Sequence, residues 1–368
     1  MHNFFCARKH FNDNLVFILR PGLVKKIVTG SVTIVAALLL SACAQSSKLA
    51  SADSGSATSL PSLAHAYDYR LFDSATQQII TLPQLAKQLQ SVDVVFIGEF
   101  HGSHASHLLQ MQLMAELHRL RPKQVLSLEM FNRDQQPILN RYLDSEIGET
   151  FLIKEAPAWE NYAASYRPLV EFAKQNFTPV IAANAAADLV RCVGREGASY
   201  LDKLTDEERR WIARDPFIDQ ADYRQKYMAF LEDARALTDE RKEPSYMAQL
   251  TRDNTMAESI NQAWSEYSGA QIIHLNGSFH SERHLGTVGA LTRLNPALKV
   301  AVITPVQIKA PSQPISPDEA LGAGLEKTLQ KGDYIYLLSP QPVPFRDSAY
   351  KRQVRQKMFQ RSEESSCR

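Results

Sequence analysis

From residue 92 onward the chain carries six short, nearly unbroken apolar runs: VDVVFIG (92–98), VLSLEMF (125–131), PVIAAN (179–184), QIIHLNG (271–277), KVAVIT (299–304) and DYIYLLS (333–339). A run with no polar alternation has no face to offer water, so each predicts a strand covered on both sides, as in a parallel sheet. The longer stretches between them show apolar residues at three- and four-residue spacing, which predicts amphipathic helices. The expected fold class is therefore α/β, a mostly parallel sheet flanked by helices, in a domain spanning 65–346. One interval breaks the alternation. Between about 185 and 269 no strand pattern occurs, and within 245–267 Tyr246, Leu250, Ala257, Ile260, Trp264 and Tyr267 recur at helical spacing. This predicts a smaller helical subdomain inserted between two strands.

The N-terminal pattern is of another kind. Lys25 and Lys26 precede the apolar run IVTGSVTIVAALLL and then SAC at 41–43. The run is too short to span a bilayer, yet it fits the hydrophobic region of a secretory signal. LSAC followed by AQSS is similar to a bacterial lipoprotein box, so residues 1–42 are expected to be a signal peptide and Cys43 the acylated mature N-terminus. The stretch before Val24 does not fit a compact signal. Translation is therefore expected to start near Val24, which would remove Cys6. Ala44 and Gln45, where an inner-membrane retention signal would place Asp, predict an outer-membrane lipoprotein facing the periplasm. Residues 43–64, rich in Ser, Ala and Gly, read as a flexible tether, and 347–368 as a charged tail.

Charge and cysteines narrow the function classes. Removing 1–42 takes Lys+Arg from 41 to 36 and Asp+Glu from 40 to 39, so the mature formal charge is 36 minus 39, or −3. That balance offers no basic field for nucleic acid. Acylation of Cys43 leaves Cys192 and Cys367. Cys192 falls in a helical core pattern and Cys367 in the tail, so no disulfide is expected between them.

Candidate chemistry gathers at the strand ends, where an open parallel sheet collects its ligands. GEFH places Glu99 and His101 after the first run, Glu129 lies at the end of the second, Asn184 closes the third, and GSFH places His280 after the fourth. Six of the eight His beyond residue 42 lie within 101–107 or 274–284. Two Glu and two His from three strand ends suit a divalent metal, an acid–base network, or a satisfied polar cluster that ties the strand ends together. His104 and His107 open the next helix, with Gln110 one turn beyond His107, and one of these His is expected to hold the preceding loop. Met111, Met114 and His118 on that helix read as core. Farther on, Trp159, Tyr162 and Tyr166 follow Lys154. Tyr162 and Tyr166 lie four apart, with Pro168 tolerated early in a helix. Such aromatics are either packing or phenolate ligands for ferric iron.

These segments, taken in order, resemble the ChaN-like family of haem-binding lipoproteins, a branch of the Tiki superfamily. The resemblance rests on GEFH with His107 and Gln110, LEMF (128–131), NY with YRPLVEFAK, PVIAAN, VGREG (193–197), DNTMAESI (253–260) and GSFH. It implies a parallel sheet with a smaller helical domain, and ferric b-type haem held between two protomers of a homodimer. It further implies a Tyr on the iron, Tyr166 first and Tyr162 second, with Lys154 and a His such as His101 or His280 at the propionates. The implied role is haem and iron acquisition, with an outer-membrane haem receptor as a further partner. The chain departs from the family pattern after AAN, where Ala-Ala-Asp precedes Leu189 in place of the usual Pro-Arg pair. The superfamily also contains hydrolases, so the alternative is a divalent-metal-dependent hydrolase using Glu99, His101, Glu129 and His280. No GxSxG elbow or HExxH helix occurs in the sequence.

Overall fold

The structure, a computed structural model, describes residues 62–157, 159–234, 238–308, 324–364 and 367. The expected signal segment, Cys43 and the tether as far as residue 61 lie outside the described residues. Among the described residues no helix is long and apolar enough to cross a membrane.

Eight strands form one sheet in the order β2-β1-β8-β7-β3-β6-β4-β5. All six apolar runs are strands: β3 (Val94–Glu99), β4 (Gln124–Asn132), β5 (Val180–Asn184), β6 (Gln271–Gly277), β7 (Val300–Gln307) and β8 (Tyr334–Leu338). Every pairing among these six is parallel. The sequence reading missed a hairpin, β1 (Tyr69–Asp73) and β2 (Gln78–Ile80), which adds to β8 antiparallel. Its turn is tied by Asp73, whose carboxylate accepts from Ala75 N and Thr76 N, and it carries Gln77 at φ 56°. A left-handed position filled by Gln rather than Gly or Asn gives no turn signal in the sequence.

Helices cover both faces. On one side lie α1 (Leu82–Leu89), α2 (His104–Leu120), α3 (Gln136–Leu143), α4 (Glu149–Glu155), α5 (Tyr162–Ser165) and α6 (Arg167–Gln175). Leu109, Leu113 and Leu117 of α2 are fully buried against Val95, Ile97 and Ile273, each contributing roughly 1.5–3 kcal/mol. The interval 185–269 is helical as expected: α7 (Ala187–Glu196), α8 (Asp206–Arg209), α9 (Ala221–Ala234) and α10 (Asp239–Glu266). Its long helix has two allegiances. Tyr246 and Leu250 pack with Tyr223 and Tyr227 of α9, whereas Ala257, Ile260 and Ala263 pack onto Phe96, Val125 and Ile272 of the sheet. The second half of α10 therefore serves the sheet together with α11 (Thr287–Leu294), and only its first half belongs to the helical appendage. Arg133, just past β4, fastens the two by donating to Ser259, Thr255, Glu258 and Ile212. The chain ends with α12 (Leu325–Leu329) before β8 and α13 (Ser348–Glu364) after it.

One detail corrects the sequence reading. Cys192 and Cys367 form a disulfide across 175 residues, against the expectation of none. Cys367 packs on the apolar cluster of α7 that buries Cys192, so the chain end is anchored at that point. The exposed side of the edge strand β5 is also closed, because Gln136 donates its amide to Val180 O (2.9 Å) and accepts from Ala182 N (2.7 Å). One side-chain amide thus stands in for the peptide of an absent neighbour.

Candidate functional site

The central strand β3 pairs with β7 on one side and β6 on the other, and the chain leaves it to skip over β6 to β4. A crevice at the carboxyl edge follows from that reversal, and the polar strand ends meet there. Glu99, the last residue of β3, is buried and receives hydrogen bonds from three side chains. Its Oε1 accepts from Tyr166 Oη (2.5 Å) and His101 Nδ1 (2.8 Å), and its Oε2 accepts from Gln110 Nε2 (2.7 Å). Gln110 in turn accepts from His107 Nδ1 (3.0 Å). Ser103 caps α2, with its side chain accepting from Ser106 N, which fixes the helix start that carries His107 and Gln110 inward.

His101 lies at the mouth. Its side chain is 46% exposed, with its Nδ1 held by Glu99 and its ring edge-on to the Trp159 indole at 4.5 Å. Burial pulls its pKa down, but the Glu99 hydrogen bond and the charges of Glu129 and Glu99 outweigh that, so the net shift is upward. The ring rests on Gly277, where a Cβ would fall 2.7 Å from Nε2. Any side chain there would push that ring aside.

Glu129 and His280 form a second, deeper network. Glu129 accepts from Gly277 N (2.6 Å) and faces His280 Nε2 at 3.4 Å. His280 Nδ1 donates to Asp253 Oδ1 (2.7 Å), and Asp253 also accepts from Tyr223 Oη (2.7 Å) and Thr287 Oγ1 (2.8 Å). Burial opposes the charge on His280, yet Glu129 and Asp253 on its two sides push its pKa up to about 10. Burial raises Glu129, but the His280 charge prevails and brings it down to about 2. The result is an ionised His280–Glu129 pair, hydrogen-bonded on its other side to Asp253, a group that locks strand ends to α10. His274, between Phe96 and Ser127, is the opposite case: burial drives it down to about 3 and keeps it neutral.

The structure brings Glu99, His101, Glu129 and His280 to one edge, as expected. It pairs them instead of pointing them at a common centre. Among the described residues no three or more His, Cys, Asp or Glu are arranged to hold a metal ion. Tyr166 belongs to the cluster, but its ring is fully buried; burial and then the Glu99 charge and hydrogen bond hold its phenol far above the ordinary range. Tyr162 is not brought to the cluster. It packs against Phe131 in the core, with a buried hydroxyl that has no partner among the described residues. Lys154 is at the surface of α4, paired with Glu155. His107 is the His of the α2 start that joins the cluster, while His104 stacks on Tyr67. Met114 is core, Met111 packs against it, and His118 meets Phe172 edge-on. Sequence reasoning missed Asp253 and Tyr223, since a polar residue inside a long helix reads as solvent-facing, and it gave Trp159 no part at the mouth.

The sequence model described as haem-binding uptake, Tiki superfamily, ChaN matches residues 85–291, more than half of the chain. Among solved structures, ChaN of Campylobacter jejuni with cofacial haem binding is similar at a TM-score of 0.54 and 15% identity, over 74% of this chain and 98% of that one. An erythromycin esterase mutant, EreC, in its open conformation gives 0.41 and 13%, over 78% and 86%. A succinoglycan biosynthesis protein gives 0.42 and 13%, over 70% and 90%. At 15% identity the likeness to that ChaN speaks to the fold alone. No protein of curated function matches the sequence. With the family match running from α1 to α11, across the crevice that holds Glu99, Glu129 and His280, the chain belongs to the ChaN family of haem-binding uptake proteins in the Tiki superfamily.

Proposed function

We propose that this protein binds haem at the mouth of the strand-end crevice and serves haem or iron acquisition as a periplasm-facing lipoprotein of the outer membrane, anchored through Cys43. The observation that carries the reading, beside family membership, is the half-exposed His101 held by a buried carboxylate and flanked by an indole. A His whose Nδ1 is fixed by a carboxylate presents its Nε2 in a set direction, as haem- and metal-facing His residues do. The fit of the donors is uneven. His101 and Trp159 lie edge-on to each other, where they would meet a flat ligand, and the Tyr166 ring is 6.2 Å from the indole. Tyr162 and Lys154 do not face the mouth.

The residues that would hold haem are therefore His101, Trp159 and, on the iron, Tyr166; the haem would supply a ferric centre that favours a hard oxygen donor. Glu99 accepts from the Tyr166 hydroxyl and its charge favours the protonated phenol, so ligation to the iron would have to displace that hydrogen bond. Trp159, between α4 and α5, packs edge-on to the Tyr166 ring, and a homodimer would enclose the ligand from the other side. Haemin titrated into the mature chain tests the reading. Saturable binding with a shifted Soret band, altered in Tyr166→Phe and weakened in His101→Ala, is expected. Absence of saturable binding contradicts it.

A further inference from the structure

The helix α13 (Ser348–Glu364) contributes no described residue to the core and has no part in the haem site. The chain enters it from β8 and returns beyond it to α7, where Cys367 is bonded to Cys192. The helix is thus held to the body on both sides, yet none of its described side chains is buried. A helix without an apolar stripe gains no stability from packing, so its surface calls for another account. Its charge is one-sided. Residues 346–361 carry Arg346, Lys351, Arg352, Arg355, Lys357 and Arg361 against a single acid, Asp347, a net +5. The mature chain as a whole stands at −3, so the remainder stands at −3 minus 5, or −8.

Nothing on the helix offsets that excess. Arg346, Lys351, Arg352 and Lys357 are exposed and form no ion pair among the described residues. Asp347 is engaged as the cap, its Oδ1 accepting from Ala349 N (2.7 Å) and Tyr350 N (3.1 Å). Lys351 and Arg355 stand four apart in the sequence, as do Lys357 and Arg361, a spacing at which like charges destabilise a helix. Against a surface of opposite charge the same repulsion is relieved. The approach to the helix adds an apolar edge: Val343 is 67% and Tyr350 58% exposed, and the Phe345 ring lies 5.9 Å from that of Tyr350. Aromatic rings beside a run of cations are the composition of elements that lie in a lipid headgroup layer. The choice of a bilayer over an acidic protein rests on these rings and on the Cys43 anchor proposed above, which holds the chain at a membrane.

We propose that α13, with the residues 343–347 that lead into it, is a docking surface for an anionic phospholipid bilayer. The four exposed cations meet the lipid phosphates, and Val343, Phe345 and Tyr350 enter the headgroup layer. The rest of the chain, net negative, is repelled by the same surface, so this helix sets which side of the domain faces the membrane. Vesicle co-sedimentation of the mature chain carrying Cys43→Ser tests this, since no acyl group can then supply the binding. Binding is expected to vesicles of phosphatidylethanolamine with phosphatidylglycerol, to fall steeply with added salt, and to be absent with phosphatidylcholine alone. Lys351→Glu combined with Arg352→Glu and Lys357→Glu should weaken it about tenfold or more. The comparison of the two vesicle types needs no variant and stays decisive if the triple variant loses its helix. Equal binding to both vesicle types, no binding to the anionic ones, or binding unchanged in the folded triple variant overturns the proposal. Retention on immobilised polyglutamate without vesicle binding would assign the helix to an acidic protein and overturn it as well. Acylation of Cys43 is read by mass spectrometry of the native protein, and haem binding by haemin titration, so failure here is distinct from failure of either reading.

Discussion

Glu99 organises the crevice with two oxygens and three donors, and each donor removed leaves a buried carboxylate less well solvated. Tyr166→Phe in the absence of haem should therefore cost about 1–3 kcal/mol of stability, read from urea unfolding monitored by circular dichroism. An unchanged midpoint would show that the phenol is not engaged with Glu99. Gly277→Ala acts on the same group from outside. The added methyl meets the tip of the half-exposed His101 ring, which is free to swing away, so the fold should survive while the His101–Glu99 bond is lost. The His101 pKa, raised in the native protein, should then fall toward its ordinary value in an NMR titration. A titration that does not move would place the ring elsewhere. At this scale the sequence was informative for Glu99, His101, Glu129 and His280, because ionisable groups at strand ends stand out against apolar runs. It was uninformative about direction. Nothing in GEFH says that Tyr166 turns its hydroxyl inward to Glu99, since that contact joins residues 67 apart.

The strands of the parallel sheet were legible because burial on both faces leaves them without polar alternation, and the helical interval was legible because apolar residues keep helical spacing for so long. The β1–β2 hairpin was not, being an edge with only partial burial and a turn lacking Gly, Asn or Pro at its left-handed residue. Nor was the division of α10 between appendage and sheet, because one continuous helical pattern serves both. The disulfide was hidden for a similar reason: a polar tail gives no sign that Cys367 packs on α7. Closing a loop of 175 residues restricts the unfolded chain, so reduction or Cys192→Ser with Cys367→Ser should lower stability by about 2–4 kcal/mol. Paired urea melts with and without a thiol reductant check this, and coincident curves would mean the bond is absent in solution.

Across the whole molecule, three buried groups set the pH response. His280, raised to about 10, contributes stability that is full below 6.5 and is lost as pH rises through 10. Glu129, lowered to about 2, contributes stability that is present above 4.5 and is lost as pH falls through 2. His274, lowered to about 3, is kept neutral, so acid destabilises the fold from 6.5 downward. Together they predict a maximum in unfolding free energy near pH 6.5, with a decline on both sides, and His280→Gln should flatten the alkaline limb. A flat profile between pH 6 and 10 would refute the ionised His280–Glu129 pair. The functional account rests on the crevice above that pair accepting haem. Haemin titrated into the mature protein, with absorbance followed through the Soret region, tests it most directly: the account predicts saturation and a ferric tyrosinate spectrum that changes in Tyr166→Phe. A spectrum identical in Tyr166→Phe, or no saturable binding at all, would contradict it.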